Sequence, residues 1–342
     1  MLKGNELTKV KEDNKLLVKQ FRERKDKKRR ETILQDQLVQ QELLGSGRYG
    51  EVWRMSYGDK TYAGKIIHKT LLPGYLDMSV DQINQFVADI ESVSATFSSY
   101  EHPHLEKFFI VAQPATDSPP ILLTELLPDN LNSFTAKMKG KLPVHVQLDL
   151  CYGMARGVQF LHDDGVIHNN LHGGNVLITT DGQPKISDYV CPQITELNKK
   201  TTPLFKAYMS PEAIKNTLVW SRPSDIYSLG ILFLQVATQT PPAPIEDGEL
   251  TEVQRYKPQL DDIIGNPLLP VIIQCLSILL ARPSIGQLCS RINIAKHSPQ
   301  NVMSGALHHV KIQIKEFPQN TATKKSFVVQ QRTSLLKTLT QR

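Results

Sequence analysis

Cysteine is scarce and scattered. The four thiols, Cys151, Cys191, Cys275 and Cys289, form no pair at metal-ligand or redox spacing. That excludes a disulfide-stapled scaffold and a thiolate zinc site. Long hydrophobic runs are also missing. The best, Val271 to Ala281, is broken by Gln274 and Ser277 and falls short of the roughly 18 to 20 apolar residues of a membrane helix. The opening Met-Leu-Lys-Gly-Asn-Glu holds no apolar signal core. Free thiols without an export signal set the expectation of a cytoplasmic, reduced protein. Glycine and proline are not in excess, at 19 and 21 of 342 residues, so collagen-like and low-complexity chains are excluded. With 40% hydrophobic and 22% charged residues, the composition is that of an ordinary globular chain.

A net positive charge is missing from the body and present at the ends. Residues 1–40 carry 12 Lys and Arg against 7 Asp and Glu, and residues 297–342 carry 7 against 1. Residues 41–296 carry 21 against 26, so the body is mildly acidic between two basic arms. Neither arm interleaves aromatics for base stacking, and nucleic acid is not the expected partner.

Residues 1–38 have no proline and a thin apolar stripe of Leu7, Val10, Leu17, Phe21, Ile33, Leu34 and Leu38. The stripe predicts a charged helix, either a solvated lead-in, a helix partner's contact or a patch for an acidic membrane surface. From 39 to 127 the pattern is strand-like, at Val39 to Leu44, Gly50 to Tyr57, Thr61 to His68, 105–112 and 120–126. A polar helix is expected over Ser79 to Ser98. After Pro128 helices are expected near 144–163, 225–238 and 268–280, with a strand pair at 175–187 turning at Asp181-Gly182. A small sheet-rich lobe therefore precedes a larger helical one. No repeats occur, and the tail from Ser298 reads as unpacked.

The chemistry is concentrated in two constellations. The first is Gly45-Ser46-Gly47-Arg-Tyr-Gly50-Glu-Val52, whose glycines let backbone amides approach phosphate oxygens. No Walker lysine follows, and the triplet lies between two strands, so neither a Walker loop nor a dinucleotide fold fits. Fifteen residues beyond Gly50, Lys65 sits inside an apolar strand, which is costly unless it pairs with anions. The second runs from Val166 through His168-Asn169-Asn170 and Asn175 to Asp188-Tyr189-Val190. It is followed by Tyr208-Met-Ser-Pro-Glu212, Ser224-Asp225 and Arg282-Pro-Ser.

In this order and spacing the pieces resemble a eukaryotic protein kinase domain, most closely the tyrosine-kinase-like group. The resemblance covers about 37–296 and implies an α+β, two-lobed fold. A small antiparallel sheet lobe with one helix (about 37–127) would precede a mainly helical lobe (about 128–296). Outside it lie a basic helical segment, 1–36, and a basic, disordered tail, 297–342. The resemblance further implies ATP bound by Leu44, Gly45, Ser46, Gly47, Gly50, Val52, Ala63, Lys65, Thr124, Glu125, Leu127 and Leu177. Thr124 would be the gatekeeper, Glu125 to Leu127 the hinge, and Asn175 and Asp188 the Mg²⁺ ligands. Asp89, or alternatively Glu91, would pair with Lys65. Asp225, Glu212 and Arg282 match structural positions.

The departures bear on activity. Where the family carries a catalytic aspartate, Asn170 stands, and an amide has no useful basicity. Asn169 replaces the arginine that grips a phosphorylated activation loop. Phe205 replaces a threonine that bonds the catalytic aspartate, and Val190 replaces the glycine of the flexible metal-ligand triplet. His172 stands where serine/threonine enzymes place lysine. Nucleotide side kept, acceptor side degraded: the expectation is a pseudokinase that binds ATP and acts as a switch or scaffold. The alternatives are a weakly active protein kinase and a nucleotide-independent interaction module.

Overall fold

The computed structural model describes residues 32–47, 50–67, 96–112, 121–189, 203–215, 221–245 and 253–297. They divide into two compact units. The first holds residues up to Leu131, with Phe160–Asn170 and the stretch from Gly174 to Tyr189. The second holds Asn132–Gln159, Leu171–Gly173 and the residues from 203 onward.

The first unit is built on a six-stranded sheet ordered β1-β5-β6-β4-β3-β2. Its strands are β1 (Thr32–Leu34), β2 (Val39–Gly47), β3 (Gly50–Tyr57), β4 (Lys60–Ile67), β5 (Phe108–Ala112) and β6 (Ile121–Glu125). Every neighbour pair is antiparallel except β1 with β5, which is parallel. The β3–β4 hairpin turns at Gly58, whose φ of 60° suits a residue without Cβ. Along β4 the pattern is alternating, with Tyr62, Gly64 and Ile66 buried and Ala63 and Lys65 half-buried. One face therefore joins Ile33, Met55, Tyr62, Ile66, Val111 and Leu123 in a core. Lys65 is carried on the other face.

The helix expected over residues 1–38 does not reach its predicted end. Thr32–Leu34 is a strand and Gln35–Gln37 a single 3₁₀ turn; residues 1–31 lie outside the described ones. The reason is burial: Ile33 is 1% exposed in the sheet core, and sinking such a side chain is worth about 1.5–3 kcal/mol. The β-branched Ile33 fits the pleat at little cost. The fifth strand is also shorter than expected and begins at Phe108. Of the polar helix expected over Ser79 to Ser98, only its last residues are among those described.

A second, three-stranded sheet comprises β7 (Asp129–Asn130), β8 (Val176–Ile178) and β9 (Pro184–Ile186). The β8–β9 turn falls at Asp181-Gly182 as the sequence predicts, with Gly182 at φ 80°. Backbone bonds from Glu106 N–H to Ile186 O and from Ile186 N–H to His104 O, both 2.9 Å, tie β9 to the segment leading into β5.

The second unit is helical, with most of α1 (Leu131–Lys137) and of α2 (Val144–Asp163), and with α3 (Pro203–Lys206) and α4 (Pro211–Lys215). There follow α5 (Arg222–Thr238), α6 (Lys257–Asp262), α7 (Leu269–Cys275) and α8 (Ile285–His297). Ser224 to Ala237 of α5 are all buried, the polar Ser224, Asp225, Ser228 and Gln235 among them. A Cβ on Gly230 would lie 2.6 Å from the Cys275 Cβ, so a glycine is required where α7 crosses α5. The helix expected over 268–280 stops at Cys275 and resumes as a 3₁₀ turn, Leu279–Ala281. No described helix is long and apolar enough to cross a membrane.

Candidate functional site

Strand register places most of the sequence-predicted residues together in the first unit. Val52 lies opposite both Gly45 on β2 and Lys65 on β4. Ala63 lies opposite Thr124 on β6, and Lys65 opposite Leu122. Residues paired directly across an antiparallel ladder share a face, so Gly45, Val52, Ala63, Lys65 and Thr124 form one patch. A register shift between Leu43 and Gly45 brings the glycine opposite Val52. Gly50 has no room for a side chain: a Cβ there would lie 1.8 Å from the Ile66 carbonyl oxygen. Val52, Ala63, Leu127 and Leu177 are half-buried apolar groups, and Leu44 is exposed.

The charged centre is a short chain. Lys65 Nζ donates to Asp188 Oδ1 at 2.7 Å, and Asn170 Nδ2 donates to Asp188 Oδ2 at 3.1 Å. Asn175 Nδ2 donates to the Asn170 carbonyl at 2.9 Å. The loop carrying Asn170 is fixed by His168, whose Nε2 is 2.9 Å from the Ser187 carbonyl, and by Ser187 N–H donating to Asn175 O at 3.0 Å. Asn169 and Asp188 both adopt left-handed backbone, φ 62° and 57°. Such φ values in non-glycine residues cost energy and persist where surrounding bonds impose them.

Glu125 turns its carboxylate away to Lys185 Nζ at 2.6 Å and the Lys107 N–H at 2.8 Å. Its own N–H donates to Lys107 O. Thr124 Oγ1 donates to Ala63 O at 3.3 Å. Asp89 and Glu91 lie outside the described residues, as does Val190.

One acid at this site was not anticipated. Glu106 is buried, and its carboxyl is hydrogen-bonded to the Thr124 side chain and the Asp188 backbone. Burial, opposed by the Thr124 bond and reinforced by the nearby Asp188 charge, pushes it up to about 8. Leu105, Glu106 and Phe108 are buried while Lys107 is exposed. Tyr189 is buried too. Its ring meets Phe97 and Phe108 edge-on at 5.4 and 5.2 Å, and its hydroxyl donates to the Glu106 carbonyl at 2.7 Å. Burial holds the phenol well above its ordinary value, so it keeps that proton.

In the second unit, Glu212 and Arg282 form a bidentate pair, with Nη2 to Oε2 at 2.9 Å. Arg282 also donates to the carbonyls of Ser277 and Pro223 and lies over the Tyr227 ring at 5.0 Å. Burial works to raise the Glu212 carboxyl, but the hydrogen bonds and positive charge of Arg282 hold it below its ordinary value. Asp225 is buried in the first turn of α5. His172 packs against Phe205 and Tyr208, ring centroids 5.8 and 6.1 Å apart. No cluster of three or more His, Cys, Asp or Glu able to hold a metal occurs among the described residues.

The chain matches the family model described as protein tyrosine and serine/threonine kinase over residues 38–292. It is 24% identical over 304 residues to the dual specificity protein kinase shkC of Dictyostelium discoideum. That alignment covers 85% of this chain and 55% of the relative, so the chain spans about half that protein's length.

Proposed function

The chain belongs to the protein tyrosine and serine/threonine kinase family, and from that premise we propose that it is a pseudokinase that binds ATP. The observation that carries this reading is Asn170, an amide bonded to Asp188 where the family needs a carboxylate base. Gly45, Ser46, Gly47 and Gly50 would cover the phosphates, and Lys65 would neutralise them. Leu44, Val52, Ala63 and Leu177 would sandwich the adenine, with Thr124 behind it and the backbone of Glu125 to Leu127 at its edge.

Mg²⁺ fits the donor set. Asn175 spends its amide nitrogen on the Asn170 carbonyl, which leaves Oδ1 as one oxygen donor, and the Asp188 carboxylate supplies the other. Two oxygen donors suit an ion that keeps several waters and shares substrate phosphates. When bound, the ion supplies neutralisation of phosphate charge. The chain's own residues orient the nucleotide, but none at position 170 removes a proton from an acceptor hydroxyl. Loss of a general base typically lowers a rate by about 10² to 10⁴. The protein therefore works through its conformation, as a switch or scaffold for a protein partner. A second reading, slow phosphoryl transfer, is favoured by the retained Lys65 and Asp188 and by the relative named as a dual specificity kinase.

The test is thermal unfolding of the chain with ATP, with and without Mg²⁺, against Lys65→Met. At 100 times Kd the gain is about 2.7 kcal/mol, a clear rise in Tm. A rise that Lys65→Met abolishes supports the reading. No rise at millimolar ATP overturns it and leaves the nucleotide-independent module.

A further inference from the structure

We propose that Thr32–Leu38 is a clasp that closes the small sheet, and that its closure and nucleotide binding favour one another. For its ligand half the proposal rests on the nucleotide reading above. Most of the segment lies ahead of the family match, which begins at residue 38. Yet Ile33 is 1% exposed in the sheet core, and Leu38 packs against the same core.

The connection from β1 to β2 is too short for a flat sheet. The two strands stand at opposite ends of the strand order, five strand spacings apart. Laid flat, they would be about 24 Å apart, at about 4.8 Å per spacing. From Leu34 to Val39 the chain takes five steps, which reach at most about 18 Å fully extended. Gln35–Gln37 coil into a 3₁₀ turn, whose rise of about 2 Å per residue shortens that reach further. The sheet therefore curls until its two edges approach. Both ends of the connection, Ile33 and Leu38, pack into the core of Met55, Tyr62, Ile66, Val111 and Leu123, so the curl closes toward that face.

The curl also shapes the patch on the opposite face. Among the described residues β2, which carries Gly45, Ser46 and Gly47, is laddered to β3 alone, and through two register shifts. Gln41 and Glu42 bond side chains of that same strand, Ser56 at 3.3 Å and Arg54 at 2.8 Å. The clasp is a second attachment, entering β2 at Val39. β4, which carries Lys65, shares the core with the clasp through Tyr62 and Ile66. Closed, the clasp keeps the glycine strand and the lysine strand at one mutual tilt. Released, it lets the edges part and the glycines move relative to Lys65. A ligand that touches both strands favours the closed form, and by reciprocity the closed form favours the ligand.

The experiment uses the full chain and two changes that reach the clasp differently. Ile33→Ala weakens its seat in the core. A Gly-Ser-Gly-Ser insertion between Asp36 and Gln37, both exposed, slackens the span and leaves every core residue in place. Ile292→Ala, at a buried position of the second unit, controls for lost stability alone. ATP affinity should fall about 5- to 50-fold in both clasp variants, the scale of a coupling between sites. In Ile292→Ala it should stay within about twofold of wild type, as for a distant, independent site. Without nucleotide, the insertion should speed amide hydrogen exchange in Val39–Gly47 and leave α5 unchanged. Should Ile33→Ala fail to fold, the insertion carries the test. Where wild type binds ATP, undiminished affinity in the insertion variant overturns the proposal, and so does unchanged exchange in β2. If no form binds ATP while the insertion still loosens β2, the clasp stands and the nucleotide reading falls.

Discussion

The Tyr189 hydroxyl donates to the Glu106 backbone carbonyl at 2.7 Å. This one bond joins the residue beside Asp188 to the segment that enters β5. The ring is clamped by Phe97 and Phe108 and stacked on Tyr100 at 6.3 Å, 14° from parallel. Tyr189→Phe keeps that packing and removes only the donor. A buried acceptor left without its partner costs about 1–3 kcal/mol. Urea unfolding should show a loss at the lower end of that range with an unchanged slope. No loss would mean that the hydroxyl contributes nothing net.

Glu106 gives a pH dependence of defined sign. Its folded carboxyl is raised to about 8 from an ordinary value of 4.5. The unfolded chain releases the proton first, so the folded state binds more protons across that window. Its stabilising contribution is complete below pH 4.5 and is lost as pH rises through 8. The limiting slope is about 1.4 kcal/mol per pH unit. Glu106→Gln, which cannot ionise, should flatten the fall in urea midpoint between pH 5 and pH 8 (about those values, set by the two limits). A variant with the same slope as wild type would place the titration elsewhere.

Why Glu106 escaped notice while Lys65 did not is a matter of context. Lys65 interrupts an apolar strand, and a lone cation there demands an explanation. Glu106 sits beside Lys107 in a run that reads as a polar entrance to a strand, and its burial comes from β9 and Asp188, far along the chain. The hairpins were legible for the opposite reason, because their period-2 patterns and Gly turns are local. β1 was not, since three residues at the end of a charged stretch carry little pattern of their own. Only the pocket closed by Met55, Tyr62 and Val111 makes Ile33 a strand residue. The link from Asn170 to Asp188 is likewise tertiary. The sequence announces a missing base, but not that its amide is occupied.

The Glu212–Arg282 pair supports an asymmetric prediction. The Arg282 side chain is 1% exposed and that of Glu212 is 23% exposed. Removing either partner leaves the other without its counter-charge, at a cost of about 3–5 kcal/mol for a buried pair. Glu212→Ala should be the worse, because it strands a guanidinium that cannot deprotonate. Arg282→Ala strands a carboxylate that can neutralise, so its loss should shrink as pH falls toward the ordinary carboxyl range. Thermal unfolding of both variants at neutral and mildly acidic pH checks this, and equal losses at both would sink it.

Two glycines of the same loop should behave differently on mutation. A Cβ on Gly50 would meet the Ile66 carbonyl oxygen at 1.8 Å, whereas one on Gly45 would meet nothing within 4 Å. Gly50→Ala must therefore push β3 away from β4 at the Gly50–Ile67 pair, two residues from Val52 and Lys65. It should lower stability by about 1–3 kcal/mol, the usual cost of an overpacked site. Gly45→Ala leaves the strands in place, and its stability should stay within about 0.5 kcal/mol of wild type, as at other open surface positions. Under the nucleotide reading the added methyl of Gly45→Ala intrudes where phosphate would approach the backbone, so its ATP-induced rise in Tm should shrink while the unliganded Tm holds. A Gly45→Ala protein with an undiminished ATP response would show that the phosphates do not pack against this part of the loop.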